Sequence, residues 1–126
     1  MKKSHGLKFI KNFMYNHIGP SVKRPTFAYI TITSLCNSRC NYCGMWENKK
    51  ENEPTTEEWK RIIDDVANIG AVTLTFSGGE PFLRPDLFEL ASHAKAQGLV
   101  SMVVTNLSLF QKDDAEKIAE NFDFIG

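Results

Sequence analysis

The residues best suited to chemistry are three cysteines within eight positions, Cys36-x3-Cys40-x2-Cys43, the only cysteines in the 126-residue chain. An odd, crowded set makes a poor disulfide framework. It favours a metal or redox role in a reducing compartment, so a cytoplasmic location is expected. Three thiolates at this spacing can ligate three irons of a cubic [4Fe–4S] cluster and leave the fourth iron open to a small molecule. A closed zinc site needs a fourth ligand, and His5, His17 and His93 are all distant in sequence. A third reading is that positions 36, 40 and 43 share one helical face as small buried thiols. Against it, Asn37, Ser38, Asn41 and Gly44 are weak helix formers.

A second cluster of unusual residues is Ser77-Gly78-Gly79-Glu80-Pro81. Glycines let backbone carbonyls approach a ligand closely. A carboxylate complements a cation, and Pro81 disfavours the α region at Glu80. Without the cysteines this stretch would read only as a turn. Arg84 follows it and either meets an anionic substrate or pairs with the neighbouring helix. Arg39, inside the cysteine loop, favours thiolate or is simply solvated. Trp46 either shields a cluster from water or is a partly buried surface residue.

These residues need elements to position them. Phe27–Thr33 is aromatic and β-branched and predicts a buried strand. Ser34 to about Glu53 is polar and irregular. Thr55 and Glu58 are spaced as a capping box, followed by the stripe Trp59, Ile62, Ile63, Val66 and Ile69, with Gly70 as the stop. Val72–Phe76 predicts a second strand, and residues 77–81 a loop. A second helix is expected over 86–97, with Asp86 as its N-cap, Leu87, Leu90, Ala91 and Ala94 inward, and Gly98 at its end. Leu99–Val104 predicts a third strand, Lys112–Glu120 a third helix, and Phe122–Gly126 the opening of a fourth strand. Strands alternating with helices imply an α/β fold with a parallel sheet and right-handed crossovers. Ligands of such sheets sit beyond the strands' C-terminal ends. There the cysteines, the double glycine and Thr105-Asn106 all meet. Three or four parallel strands neither close a barrel nor cover both sheet edges, so a fragment or a truncated gene is expected.

Apolar residues make up 42% and charged residues 24%, and nine Phe with two Trp exclude disorder as the main state. No stretch approaches ~18 uninterrupted apolar residues, which excludes a spanning helix. Of the 15 basic and 15 acidic residues, six basic and no acidic ones fall in 1–24. The remaining 9 and 15 give residues 25–126 a net charge of −6. The chain thus divides into a basic arm, 1–24, and an acidic body, 25–126. The zero overall balance gives no push toward nucleic acid. Leu7, Ile10, Phe13, Met14 and His17 fall at helical spacing. A helix packed on its own domain is the leading expectation for the arm, and contact with an anionic membrane surface is the alternative.

Cys36-Asn37-Ser38-Arg39-Cys40-Asn41-Tyr42-Cys43 resembles the signature loop of radical S-adenosylmethionine (radical SAM) enzymes, including the aromatic residue before the last cysteine. Ser77-Gly78-Gly79-Glu80-Pro81 is similar to that family's glycine-rich motif after the second strand. The resemblance spans about residues 26–126. It implies the first half of a partial (β/α)6 TIM-like barrel, ending at the fourth strand. It also implies a [4Fe–4S] cluster on Cys36, Cys40 and Cys43, with S-adenosylmethionine chelating the open iron. The cofactor's sulfonium would be reductively cleaved to a 5′-deoxyadenosyl radical that abstracts a substrate hydrogen. By position, Tyr42 lies near the adenine, while Gly78, Gly79 and Glu80 receive the methionine ammonium. Thr105 belongs to a loop in which the family often has Thr-Asn-Gly; here Leu107 replaces the glycine. A small-molecule or peptide substrate is implied, with an electron donor such as flavodoxin or ferredoxin. The later strands that shield the radical are not in this sequence, so little or no turnover is expected from it. A non-enzymatic iron–sulfur or zinc-binding module is the alternative, and a metal-free interaction fragment a third.

Overall fold

Alternating β-branched and aromatic residues from Phe27 to Thr33 form strand β1, with the boundaries its composition predicts. The capping box at Thr55 starts helix α2, Thr56–Asn68: the Thr55 hydroxyl accepts from the Glu58 amide, and Glu58 accepts from the Thr55 amide. Strand β2 is Thr73–Gly78, α3 is Leu87–Ala96, β3 is Val100–Val103, α4 is Asp114–Asn121 and β4 is Phe124–Ile125. An N-terminal helix, α1, covers Lys3–Ile18, and single 3-10 turns stand at Met45–Glu47 and Pro81–Leu83. The computed structural model describes residues 3–19, 23–49, 52–112 and 114–126. Residues 1–2 and 20–22 of the basic arm, 50–51 of the polar segment, and Asp113 of the expected third helix lie outside the described residues.

The four strands are parallel and in sequential order, β1-β2-β3-β4. With no reversal of strand order, this is the arrangement of a barrel segment rather than of a doubly wound sheet. One sheet face carries the core: Ile32, Leu74, Phe76 and Val103 pack with Trp59 and Ile63 of α2, with Leu87, Leu90, Ala91 and Ala94 of α3, and with Ile118 and Phe122. Phe27, Tyr29 and Thr31 of β1 alternate with that set and are exposed.

The alternation breaks near the end of β1. Thr31 is opposite Ser77, but Thr33 is opposite Gly78, so Ile32 is an extra residue in a β-bulge. The bulge lets β2 continue through Ser77 and Gly78, where the glycine pair alone predicted a loop. Asp86 stands at the N-cap of α3 without capping it through its side chain. That carboxylate instead accepts from Thr56 Oγ1 at 2.7 Å and from Arg84.

Helix α1 lies against the N-terminal edge of the sheet. Asn12, buried, donates to the carbonyls of Gly70 (2.9 Å) and Pro25 (3.3 Å), and Lys8 Nζ donates to the Gly98 carbonyl. Gly70 and Gly98 are the residues at which α2 and α3 run out, so α1 supplies donors, one of them a cation, to two helix C-termini.

Candidate functional site

At the C-terminal edge of the sheet, the chain leaving β1 lies directly on the glycine pair. The Gly79 amide donates to Thr33 O at 2.9 Å and the Glu80 amide to Leu35 O at 2.7 Å. A Cβ on Gly79 would run into the Leu35 carbonyl and the Cys36 amide. One on Gly78, whose φ is 143°, would meet the Thr33 carbonyl. The backbone approach expected of these glycines is thus made in part by the protein's own chain, just where the cysteine loop begins.

The Glu80 side chain, 0% exposed, closes the next link. Its Oε1 accepts from Thr105 Oγ1 (2.7 Å) and the Phe82 amide (3.0 Å), and its Oε2 accepts from the Asn106 amide (2.8 Å). Asn106 Nδ2 in turn donates to Asn37 Oδ1 (2.9 Å) and Ser38 Oγ (2.8 Å). Asn37 also donates to Ser108 Oγ at 2.7 Å. The loops after β1, β2 and β3 are therefore joined by a continuous chain of hydrogen bonds running Phe82–Glu80–Asn106–Asn37. No local pattern signals that Asn106 spans two loops; its only signal is its place beside Thr105 at a strand end.

All three cysteines are free thiols, with Cys40 exposed and Cys36 and Cys43 half-buried. The Cys43 amide donates to Cys40 O at 3.1 Å, which forms a turn between these two residues. Cys40, Cys43, Tyr42, Trp46 and Glu47 line a concavity of about 700 Å³. The Ser38 amide points at Cys36 Sγ at 3.5 Å, a donor that a thiolate accepts. The Arg39 guanidinium lies 5.2 Å over the Trp46 ring, so both residues expected to influence a cluster stack on each other beside the cysteines. Among the described residues, no group of three or more His, Cys, Asp or Glu side chains is gathered so as to hold a metal ion. An iron–sulfur cube makes a different demand, since each thiolate takes its own iron. The donor set fits that demand: three unbridged thiols on one irregular loop, which excludes their being small residues of one buried helical face.

Tyr42 is 94% exposed on the rim of the concavity and does not pack against the strand ends. Arg84 is already fully engaged. Its Nε and Nη2 bind the two Asp86 oxygens at 2.9 and 2.7 Å, Nη1 donates to Ile32 O at 3.1 Å, and both Nη atoms reach Pro54 O. Glu53 lies 3.6 Å from Nη1 and also accepts from Thr33 Oγ1 and the Ser34 amide. Arg84 therefore pairs with the start of the neighbouring helix, and the substrate-facing reading is set aside.

Leu107, at the position where glycine is usual in the resembling family, has φ 56°. A left-handed conformation costs a β-carbon residue about 1–2 kcal/mol. Glycine gives back about 0.5–1 kcal/mol of that as extra freedom in the unfolded chain. Leu107→Gly is therefore expected to stabilise the protein by up to about 1 kcal/mol, read as a higher urea midpoint. A lower midpoint would show that the half-exposed leucine side chain outweighs the strain.

Known proteins resemble this chain in sequence and in fold. The family model described as the Radical SAM superfamily matches residues 30–126. Fe-coproporphyrin III synthase of Methanosarcina barkeri is 37% identical over 119 residues, which are 93% of this chain and 27% of that protein. PqqA peptide cyclase of Bradyrhizobium diazoefficiens is 35% identical over 98 residues, 76% of this chain and 26% of that one. Among solved structures, Streptococcus suis SuiB bound to S-adenosylmethionine superposes with a TM-score of 0.72 at 20% identity, covering 97% of this chain and 27% of that one. BtrN in complex with AdoMet and 2-DOIA gives 0.71 at 18% identity, covering 82% and 45%. The chain spans about a quarter of the length of the curated relatives it matches.

Proposed function

The chain belongs to the radical SAM superfamily, and from that membership we propose that it is the part of such an enzyme that holds both cofactors. Cys36, Cys40 and Cys43 hold a [4Fe–4S] cluster. The open edge beside Gly78, Gly79 and Glu80 receives the methionine end of S-adenosylmethionine. When bound, these two groups supply the chemistry: one-electron cleavage of the sulfonium to a 5′-deoxyadenosyl radical that abstracts a hydrogen.

The protein's own share is positioning. The observation that carries the reading is the contact of the Leu35–Cys36 backbone with Gly79, which sets the first cysteine against the glycine pair. Glu80 is fully buried and three of its about four acceptor positions are taken within the chain, so its part is to hold the turn beside the glycine pair against the loop after β3. Thr105 Oγ1 gives its proton to Glu80 and accepts from the Leu107 amide, so one lone pair stays available to a cofactor. Tyr42, on the exposed rim, meets the adenine.

The names of the relatives include a PqqA peptide cyclase and an Fe-coproporphyrin III synthase, which supports a peptide or small-molecule substrate for the present protein. A flavodoxin or ferredoxin in the cytoplasm would supply the electron. No helix among the described residues is long and apolar enough to cross a membrane.

Anaerobic reconstitution with iron and sulfide is expected to load about four irons per chain. The electron paramagnetic signal of the reduced cluster should change on adding S-adenosylmethionine. Changing all three cysteines to Ala should abolish both results while leaving a folded protein. Release of 5′-deoxyadenosine by the 126-residue chain should be slight, because Tyr29 and Thr31 leave one sheet face open to water. No cluster in the reconstituted protein would end the proposal. One zinc per chain without S-adenosylmethionine binding would favour a non-enzymatic metal module.

A further inference from the structure

We propose that α1 seats the protein on an anionic lipid surface through its outward apolar face. The usual amphipathic helix of a soluble domain turns its apolar stripe toward the core. Helix α1 is reversed. Among its described side chains His5 and Asn12 are buried, at 6% exposure each, and with Lys8 they occupy the side toward the sheet edge. Leu7, Ile10, Phe13, Met14 and Ile18 are 53–80% exposed and fall on the opposite side. Phe9 continues the patch to Phe27, itself 67% exposed, with ring centroids 6.4 Å apart. The reversal has a local cause. The N-terminal edge of the sheet presents the carbonyls of Pro25, Gly70 and Gly98, and only a helix with donors on its inner face satisfies them.

Charge identifies the occupant. Residues 1–24 carry six cations and no acid, and among the described side chains Lys11 lies beside the Leu7–Ile18 line while Lys8 is held at the sheet edge. A helix of 16 residues, about 24 Å long, with this pattern lies in the interface of a bilayer that carries negative headgroups. A second copy is disfavoured, because a two-fold interface sets the same patch against itself and would bring two acid-free, six-cation segments together. Docked in this way, the protein turns the opposite sheet edge, with Cys36, Cys40 and Cys43, toward water, a strand length of about 20 Å beyond helix α1 at ~3.3 Å per strand residue.

The test uses the full 126-residue chain and vesicles of phosphatidylcholine alone or mixed equally with phosphatidylglycerol. Co-sedimentation is expected to be at least about tenfold stronger with the anionic vesicles and to weaken as salt rises. The double variant Ile10→Glu, Met14→Glu should lose it while melting as the parent does, since both positions are exposed. Lys11→Gln, which leaves the apolar face intact, should lower binding at low salt. The proposal is overturned if anionic vesicles sediment none of the parent, or sediment the double variant equally. It is also overturned if sedimentation velocity finds a dimer that the double variant dissolves while vesicles capture nothing.

Discussion

Glu80→Ala is expected to destabilise the cofactor-free protein by about 2–4 kcal/mol, because it empties a fully buried position and strips the acceptor from three part-buried donors, each worth about 1 kcal/mol or more when orphaned. The donors are Thr105 Oγ1 and the amides of Phe82 and Asn106. Glu80→Gln keeps one oxygen, enough for Phe82 and Thr105, and sets an NH2 against the Asn106 amide. Its cost should be smaller, about 1–3 kcal/mol. The two variants separate the internal role of Glu80 from any role toward a cofactor, because both are measured by urea unfolding with no cofactor present. Equal stability of Glu80→Ala and the parent would refute the hydrogen-bonded chain from Phe82 to Asn37.

The second large effect is expected at Arg84. Its guanidinium is 10% exposed, between Glu53 and Asp86, which are 10% and 12% exposed. It also satisfies the carbonyl of Ile32, the extra residue of the β1 bulge. Removing one partner of a buried ion pair costs about 3–5 kcal/mol, and Arg84→Met should lose that much at neutral pH. The pH dependence follows from Asp86. Burial pushes its carboxyl up, but hydrogen bonds from Arg84 and Thr56 outweigh this and hold it below the ordinary aspartate value. A lowered carboxyl stabilises the fold above the unfolded value, about 4, and that contribution disappears as pH falls through the folded value. Without Arg84 the burial dominates and the acid-sensitive contribution goes. The gap between variant and parent, followed by thermal melting from neutral pH to about 3, should therefore narrow on acidification. A gap of the same size at every pH would refute the clasp.

The legibility of the sequence follows the range of the interactions. Strand β1 and the Thr55–Glu58 box were readable because β-branched alternation and capping are local, and both stand where the residues put them. The cysteine spacing and the glycine pair were readable because they are confined to short segments. Asp86 was misread as a capping side chain because its true partners, Thr56 and Arg84, include a residue 30 positions away. Asn106 stayed hidden for the same reason: Asn37 and Ser38 are 69 and 68 residues upstream. Periodicity found α1, but it assigns a helix's apolar side inward by default. No pattern within 1–24 announces that the sheet edge presents the carbonyls of Pro25, Gly70 and Gly98 to this helix.

The run that leaves β1 after Thr33 constrains chain length as well as residue type, because Thr33 and Leu35 both accept from the glycine turn. Ile32 is the extra residue of β1, and without it Thr33 keeps its place opposite Gly78; deleting a position between Thr33 and Leu35 instead would turn the following chain over and carry Leu35 and Cys36 away from the bare backbone of Gly79. Insertions within 44–49, beyond the last cysteine, carry no such consequence. Natural drift in spacing should accordingly collect on the far side of Cys43 and spare the short run from Thr33 to Cys36.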